Sequence, residues 1–323
     1  MTPKVSVIIP VYNAAKDIER CCRALFSQTL ENMEFLFVDD CSKDNSYSLI
    51  QQTIEDYPNR KAQVKLLQQS RNMGVASARQ RGLDEATGEF IIHCDSDDWP
   101  ESDMYEVLYQ KAKDEKAEVV YCDYYVEYAS HREYVAFPDS SIKRPSFNIA
   151  PIEGAVWNKL IKYDLIQRIG VKFLENVGLG EDFAFVTPCC VKASETAVVH
   201  KPLYHYNQQN AGSITHNYTK ERFLQVISLA KYIDELFQEK GLSQDFAFEI
   251  NYLKFQAKSF FLMYPEVRDI SFWKETFPEC DEYIMHYGSP LYLRLAAWLI
   301  SNRMSCVANI ILRLRDTLSK RNR

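Results

Sequence analysis

The sequence predicts an α/β fold: a doubly wound, mostly parallel sheet followed by a helical C-terminal region. Three observations carry this. Short β-branched runs alternate with helical spacing from Val5 to Tyr121, and repeated units of that kind give a parallel sheet with right-handed crossovers. From Lys220 onward the spacing is helical, with Phe223, Val226, Ile227, Ala230 and Ile233 three and four residues apart. Between them lies an irregular stretch holding Pro138, Pro145, Pro151, Pro188 and Pro202, so the domains are read as 1–217 and 218–323.

Each element has a local cause. Residues 5–9 (VSVII), ended by Pro10, read as a buried parallel strand. Residues 18–26 are spaced as a helix, and 35–38 form the second strand. Side-chain oxygens of Asp44, Asn45 and Ser46 can cap the free amides of the next helix. A strand at 64–67, a helix at 75–86 and a strand at 90–93 follow, with Thr87-Gly88 as the stop between the last two. A helix at 104–113 leads to a strand at 119–121, and a further strand is expected at 197–206.

Composition excludes several classes. The 323 residues hold 38 Lys+Arg against 44 Asp+Glu, a net charge of −6, which argues against a nucleic-acid coat. Apolar residues make up 46%, enough for a packed core. The nine cysteines include the adjacent pairs Cys21-Cys22 and Cys189-Cys190 and show no zinc spacing, so they read as free thiols of a reducing cytosol. Met1-Thr2-Pro3-Lys4 runs into a strand with no signal-peptide pattern, and no apolar stretch approaches the ~18 residues of a spanning helix. A cytoplasmic protein is expected.

In a doubly wound sheet, ligands bind beyond the carboxyl ends of the strands. After the first strand stands Pro10-Val11-Tyr12-Asn13, without the glycines of a dinucleotide site. After the second comes Asp39-Asp40, and after the fourth Cys94-Asp95-Ser96-Asp97-Asp98-Trp99. Three carboxylates within four residues repel one another unless a cation or hydrogen-bond donors offset them. Mg²⁺ or Mn²⁺, which take oxygen ligands and leave room for substrate phosphates, suit that cluster. The bland alternative is an acidic helix cap at Asp98 before Pro100-Glu101.

At these residues a family resemblance emerges. VSVIIPVYN (5–13), EFLFVDDCSKDNS (34–46), RNMGVASARQRG (71–82) and GEFIIHCDSDDW (88–99) resemble the successive motifs of the family 2 glycosyltransferases with the GT-A type, Rossmann-like fold. The resemblance covers roughly the first 215 residues. It implies a metal-dependent, inverting hexosyl- or N-acetylhexosaminyl-transferase using a nucleotide-diphospho-sugar, a UDP-sugar above all. It implies that Pro10, Tyr12 and Asp40 line the uridine pocket, with Asp39 orienting the loop. It likewise implies that Arg71 would face base and phosphates, and Asp95 with Ser96 the ribose or sugar. The resemblance further implies that Asp97, with Asp98 as the alternative or second acid, would form the DXD-type metal site for Mn²⁺ or Mg²⁺, which of them ligates directly being open. Inversion needs a carboxylate to take the acceptor's proton. Gly180-Glu181-Asp182-Phe183 resembles the family's ED motif, giving Asp182 as base and Glu181 as its supporting neighbour; a plain helix N-terminus also favours two acids.

Two softer segments follow. Trp157-Asn158-Lys159 matches a WNKL-like element, so Lys159 is read as a donor contact, with a core Trp as the alternative. Tyr204-His205-Tyr206 and Gly212–His216 resemble the stretch that closes over the donor diphosphate. There His205 and Ser213 are donor-binding candidates and His216 a metal-ligand candidate. His93, inside a strand, reads as a satisfied core residue.

Charge is unevenly spread: Ser289 to Arg323 carries seven basic residues and one acid, Asp316, hence +6 against −12 elsewhere. Arg294, Ser301, Ser305, Asn309, Arg313, Asp316 and Lys320 form a polar stripe on one expected helix. Leu295, Trp298, Leu299, Val307, Ile310, Ile311 and Leu314 fill much of the rest, and Arg303 lies off the stripe. The pattern suits a peripheral contact with the inner face of the membrane; it equally suits packing on the protein itself or on a homodimer partner. The expected partners are a nucleotide-sugar donor and a saccharide or lipid-linked saccharide acceptor in cell-surface polysaccharide synthesis, with no nucleic acid. Two rivals stand: a non-catalytic carbohydrate-binding relative, and a nucleotidyltransferase on a similar scaffold, which would need a Gly-rich phosphate loop that Pro10–Asn13 does not provide.

Overall fold

The computed structural model describes residues 2–137, 154–174, 180–209 and 219–321, with side chains through residue 318. The chain divides into two compact units, whose described residues are 2–137, 154–174 and 180–209 in the first and 219–321 in the second. In the first unit, β1 (Val5–Val11), β2 (Met33–Asp39), β3 (Val64–Gln68) and β4 (Phe90–His93) are parallel in the order β3-β2-β1-β4. Strand order therefore reverses at β1, which places the switch point beside β4. Helices α1 (Ile18–Phe26), α2 (Ser46–Glu55), α3 (Val75–Glu85) and α4 (Met104–Glu115) connect and follow these strands.

The rest of the sheet is mixed. Beyond β4 come β8 (Lys159–Lys162), β6 (Val119–Glu127), β9 (Thr196–Asn207) and the two-residue β5 (Trp99–Pro100), while β7 (Arg132–Val135) pairs with β6. β8 runs antiparallel to both neighbours, β6 and β9 run parallel, and β5 is antiparallel to β9. The sequence reading missed β8. Its four residues, two apolar ones between two lysines, are too few to separate from a loop, and pairing on both sides supplies what the local pattern lacks.

β1 shows how the layers form. All seven residues are buried. Val5, Val7, Ile9 and Val11 pack with α1 and Met104, Tyr105 and Leu108 of α4. Ile8 packs on the other face, with Ala76 and Leu83 of α3 and with residues of α5 (Tyr163–Ile169) and α6 (Glu181–Lys192). The two-residue period of a strand thus feeds two helical layers. Each fully buried aliphatic side chain contributes about 1.5–3 kcal/mol.

The second unit is helical: α7 (Lys220–Glu239), α8 (Ala247–Met263), α9 (Ile270–Glu275), a 3₁₀ segment (Pro278–His286), α10 (Leu291–Ser301) and α11 (Ser305–Arg321). Phe255, Leu262, Trp273, Ile284, Tyr287, Ile300 and Leu312 are among its core residues. Lys258 is fully buried there, with its ammonium 4.0 Å from the Trp273 ring and 2.5 Å from Asp281. The single tail helix expected from sequence is two helices. The chain breaks at Arg303, whose φ is 64°, and so Arg303 lies off the stripe. Asp316 is no solvated stripe residue either: its carboxylate accepts from Arg268 at 2.8 Å.

Candidate functional site

The carboxyl ends of β1, β2 and β4 converge on one edge. Asp40, directly after β2, is buried and folds the following loop around itself. Its Oδ1 accepts from Gln69 Nε2 (2.9 Å) and the Met73 amide (2.7 Å), and its Oδ2 from the Gly74 amide (2.7 Å). Gly74, at φ 89°, then opens α3 in a backbone conformation that favours glycine. Asp39 Oδ1 accepts from the Ser42 amide (3.2 Å) and Oδ2 from Gln68 (3.2 Å). Pro10 is buried at the end of β1, Tyr12 is exposed beside it, and Arg71 is exposed on the loop that Asp40 organises.

After β4 the chain turns tightly, the Asp98 amide donating to the Asp95 carbonyl (3.1 Å). Asp98 points inward. It accepts from the Tyr204 hydroxyl (2.8 Å) and the Asn207 amide (2.7 Å), and burial together with the charges of Asp97 and Asp95 pushes its carboxyl well above the usual range. Asp98, expected beside Asp97 as a metal-ligand candidate, thus has both oxygens tying the loop to β9. Asp97 and Ser96 are half-buried, with the Asp97 carbonyl accepting from Arg20 (2.8 Å) and Asn207 Nδ2 (3.1 Å).

The centre of the site is a residue that the sequence reading passed over. Arg79, from the buried face of α3, donates through Nη2 to Asp95 Oδ1 (2.8 Å), and through Nη1 to Glu181 Oε1 (3.0 Å) and to Asp182 Oδ1. One guanidinium thus joins the end of β4 to the first turn of α6. Glu181 and Asp182 stand there as the two acids next to Gly180, where free backbone amides favour negative charge. Three carboxylates share one cation. Burial pushes the Asp182 carboxyl up to about 7; Arg79 pulls it down, while Glu181 and Asp95 add to the rise. The Asp182 side chain keeps 20% exposure, against 4% for Arg79, so an incoming group can reach the acid and not the guanidinium.

Other candidates serve the fold. Lys159 is buried, its ammonium donating to the Ala155 carbonyl (2.6 Å) and Asn158 Oδ1 (2.7 Å) over the Tyr121 and Phe137 rings, which leaves no reach for a donor contact. Trp157 stacks on Tyr204 at 4.6 Å in the core. His205 stacks on Trp99 at 5.0 Å, with its nitrogens 2.7 Å from Glu127 and 3.0 Å from Glu101, so the ring is occupied as a cross-strand bridge. Ser213 and His216 lie outside the described residues. His93 is a core residue, edge-on to Phe173 and Phe185, but not a satisfied one: neither ring nitrogen has a hydrogen-bond partner among the described residues, nor does Arg79 Nε. Burial, with Arg79 near, holds the imidazole well below its ordinary pKa and hence neutral.

A parallel sheet with acids gathered at its switch point, extended by an antiparallel strand and covered by helices, defines a GT-A fold. The S. aureus TarS 1–349 structure with UDP-GlcNAc superposes with a TM-score of 0.68 at 19% identity, over 97% of this chain and 92% of that one, which supports the same fold. The chain belongs to glycosyl transferase family 2, whose family model matches residues 6–169. It is 32% identical over 229 residues to the cholesterol galactosyltransferase of Borreliella burgdorferi, covering 66% of this chain and 62% of that protein. It is 29% identical over 225 residues to the uncharacterized glycosyltransferase EpsJ of Bacillus subtilis, covering 67% and 64%. The chain thus spans just under two thirds of the length of these relatives.

Proposed function

We propose that this chain is an inverting glycosyltransferase that moves a sugar from a nucleoside-diphosphate-sugar, a UDP-sugar, to a hydroxyl acceptor in cell-surface polysaccharide synthesis. One observation carries the reading: Arg79 holds Asp182, a mostly buried but reachable acid with a raised pKa, beside Asp95 at the switch-point edge. A base with pKa near the working pH transfers protons most effectively. In this reading the acceptor oxygen attacks the anomeric carbon opposite the diphosphate, its proton passes to Asp182, and the C–O bond to the diphosphate breaks. Arg79 orients the base and Glu181 keeps it basic. Tyr12 packs on the nucleobase, Asp40 fixes the loop beside it, Arg71 holds the phosphates and Asp95 the sugar.

The reading includes a divalent cation. Among the described residues no group of three or more His, Cys, Asp or Glu can hold a metal ion. The donor set fits a hard cation that takes one or two protein carboxylates and completes its shell with substrate phosphates. Asp97 is the carboxylate that would hold it. When bound, such an ion offsets charge on the leaving diphosphate.

The test is a screen of UDP- and GDP-sugars for hydrolysis or transfer with Mn²⁺, Mg²⁺ or EDTA. Turnover of a UDP-sugar that EDTA suppresses is expected. No turnover and no metal-dependent binding of any donor would favour the non-catalytic alternative and overturn the proposal.

A further inference from the structure

The second unit presents apolar surface turned away from its own core. On α10, Leu293, Ala296, Ala297 and Ile300 are buried. At 100° per residue, Leu291, Leu295 and Trp298 lie on the opposite side of the helix, and they are exposed at 57, 37 and 43%. On α11, Ala308 and Leu312 face inward, whereas Val307, Ile310, Leu314 and Leu318 recur at three and four residues with exposures of 48 to 62%. A helix end that needs only its own protein would carry polar residues there.

We propose that α10 and α11 seat these apolar stripes on an anionic lipid bilayer. The charge beside them selects that occupant. Arg294 and Arg313 flank the stripes, Arg303 lies between the helices, and the 289–323 segment carries +6 in all. Its only acid, Asp316, is engaged by Arg268 at 2.8 Å. A second copy would bring another +6 against the first, and the repulsion opposes pairing through these faces. Anionic headgroups reverse that sign, each nearby Arg or Lys adding to the attraction. Long basic side chains can lay their stems along the apolar stripe while their heads reach the phosphates, and an indole suits the interfacial layer. Among the described residues no helix is long and apolar enough to cross a membrane, so the contact is one of lying on the surface.

Flotation of the full chain with vesicles decides. Phosphatidylcholine vesicles containing about a third phosphatidylglycerol should carry the protein up the gradient, and pure phosphatidylcholine should not. The double variant Ile310→Glu/Leu314→Glu should lose about tenfold or more in vesicle binding, with an unchanged melting temperature because both side chains are exposed. Arg313→Glu should lose roughly fivefold or more, and the loss should shrink in high salt. Wild-type protein that stays down with anionic vesicles would overturn the proposal. So would a double variant that floats undiminished, or one whose only change is conversion of a lipid-free dimer to monomer.

Discussion

Two carboxylates near opposite ends of the parallel sheet, Glu34 and Asp182, answer burial in opposite ways. At the amino end Glu34, in β2, is enclosed by donors. Ser6 donates at 2.6 Å, the Thr87 amide at 2.9 Å and the Thr87 hydroxyl at 3.0 Å, and Lys65 pairs at 2.7 Å. Burial works to raise its pKa, but Lys65, Ser6 and Thr87 outweigh it and the carboxyl is lowered. The space is closed as well: a Cβ on Gly88 would stand 2.6 Å from the Ser6 amide nitrogen. At the carboxyl end Arg79 faces three carboxylates, and Asp182 is raised to about 7. A carboxylate whose donors all come from the fold stabilises the fold. One left short of donors keeps capacity for a substrate, so on the proposed function Glu34 serves stability and Asp182 chemistry.

The largest effect that would test this division is on transfer. In the proposed reading D182N removes the base and should lower the transfer rate by about 10²–10⁴-fold, while donor binding, followed by calorimetry, persists. Unchanged transfer would exclude Asp182 as base. The wild-type rate should fall as pH drops through about 7, where Asp182 takes up its proton. Because the folded-state pKa is raised, the stability that the protonated acid contributes is present below the unfolded pKa and lost as pH rises through about 7.

Next comes Arg79. R79A leaves three carboxylates without their common cation and should cost about 3 kcal/mol of unfolding free energy, read by denaturant titration. The deficit should shrink on acidification, as Asp182 protonates more readily without the guanidinium that pulls its pKa down. R79K, a point charge where a planar fork spans three partners, should rescue stability only in part. Full rescue of both stability and transfer would show that the fork geometry is dispensable.

How legible each end was follows from residue type. The acids after β2 and β4 could be read because carboxylates at strand ends are conspicuous against β-branched runs. Arg79 could not, since an arginine followed by Gln80 and Arg81 looks like a solvated helix face. The signal was there in the phase: Ala76, Arg79 and Leu83 lie three and four apart, and Arg79 shares their buried side. The inward turn of Asp98 depends on Tyr204 and Asn207, more than 100 residues away in sequence, and no local pattern encodes that pairing. β8 was invisible for the same reason. The amino-end network was equally hidden, because Ser6 and Glu34 become neighbours only through the β1–β2 register.

At the amino end E34Q should be milder than R79A, costing about 2 kcal/mol by replacing an acceptor with a donor before several N–H and O–H groups. Transfer by the folded protein should be unchanged; a drop in rate at equal folded fraction would break the division between the ends.

The smallest effect belongs to a third buried acid, Glu118, and it sharpens the rule. Burial again works upward, but Arg168 at 2.9 Å and the Ser194 amide and hydroxyl bring its carboxyl down to about 2. Arg168 is itself 56% exposed, so water screens the pair and R168A should cost only about 1 kcal/mol at pH 7. A lowered folded-state pKa contributes stability that is full above the unfolded value and fades as pH falls toward about 2. The gap between wild type and R168A should therefore close on acidification. For Asp182 the slope has the other sign, with stability lost as pH rises. Two buried acids of one unit, one saturated with donors and one left short, should thus give opposite pH slopes, and like slopes for both in thermal melts across pH would end the comparison.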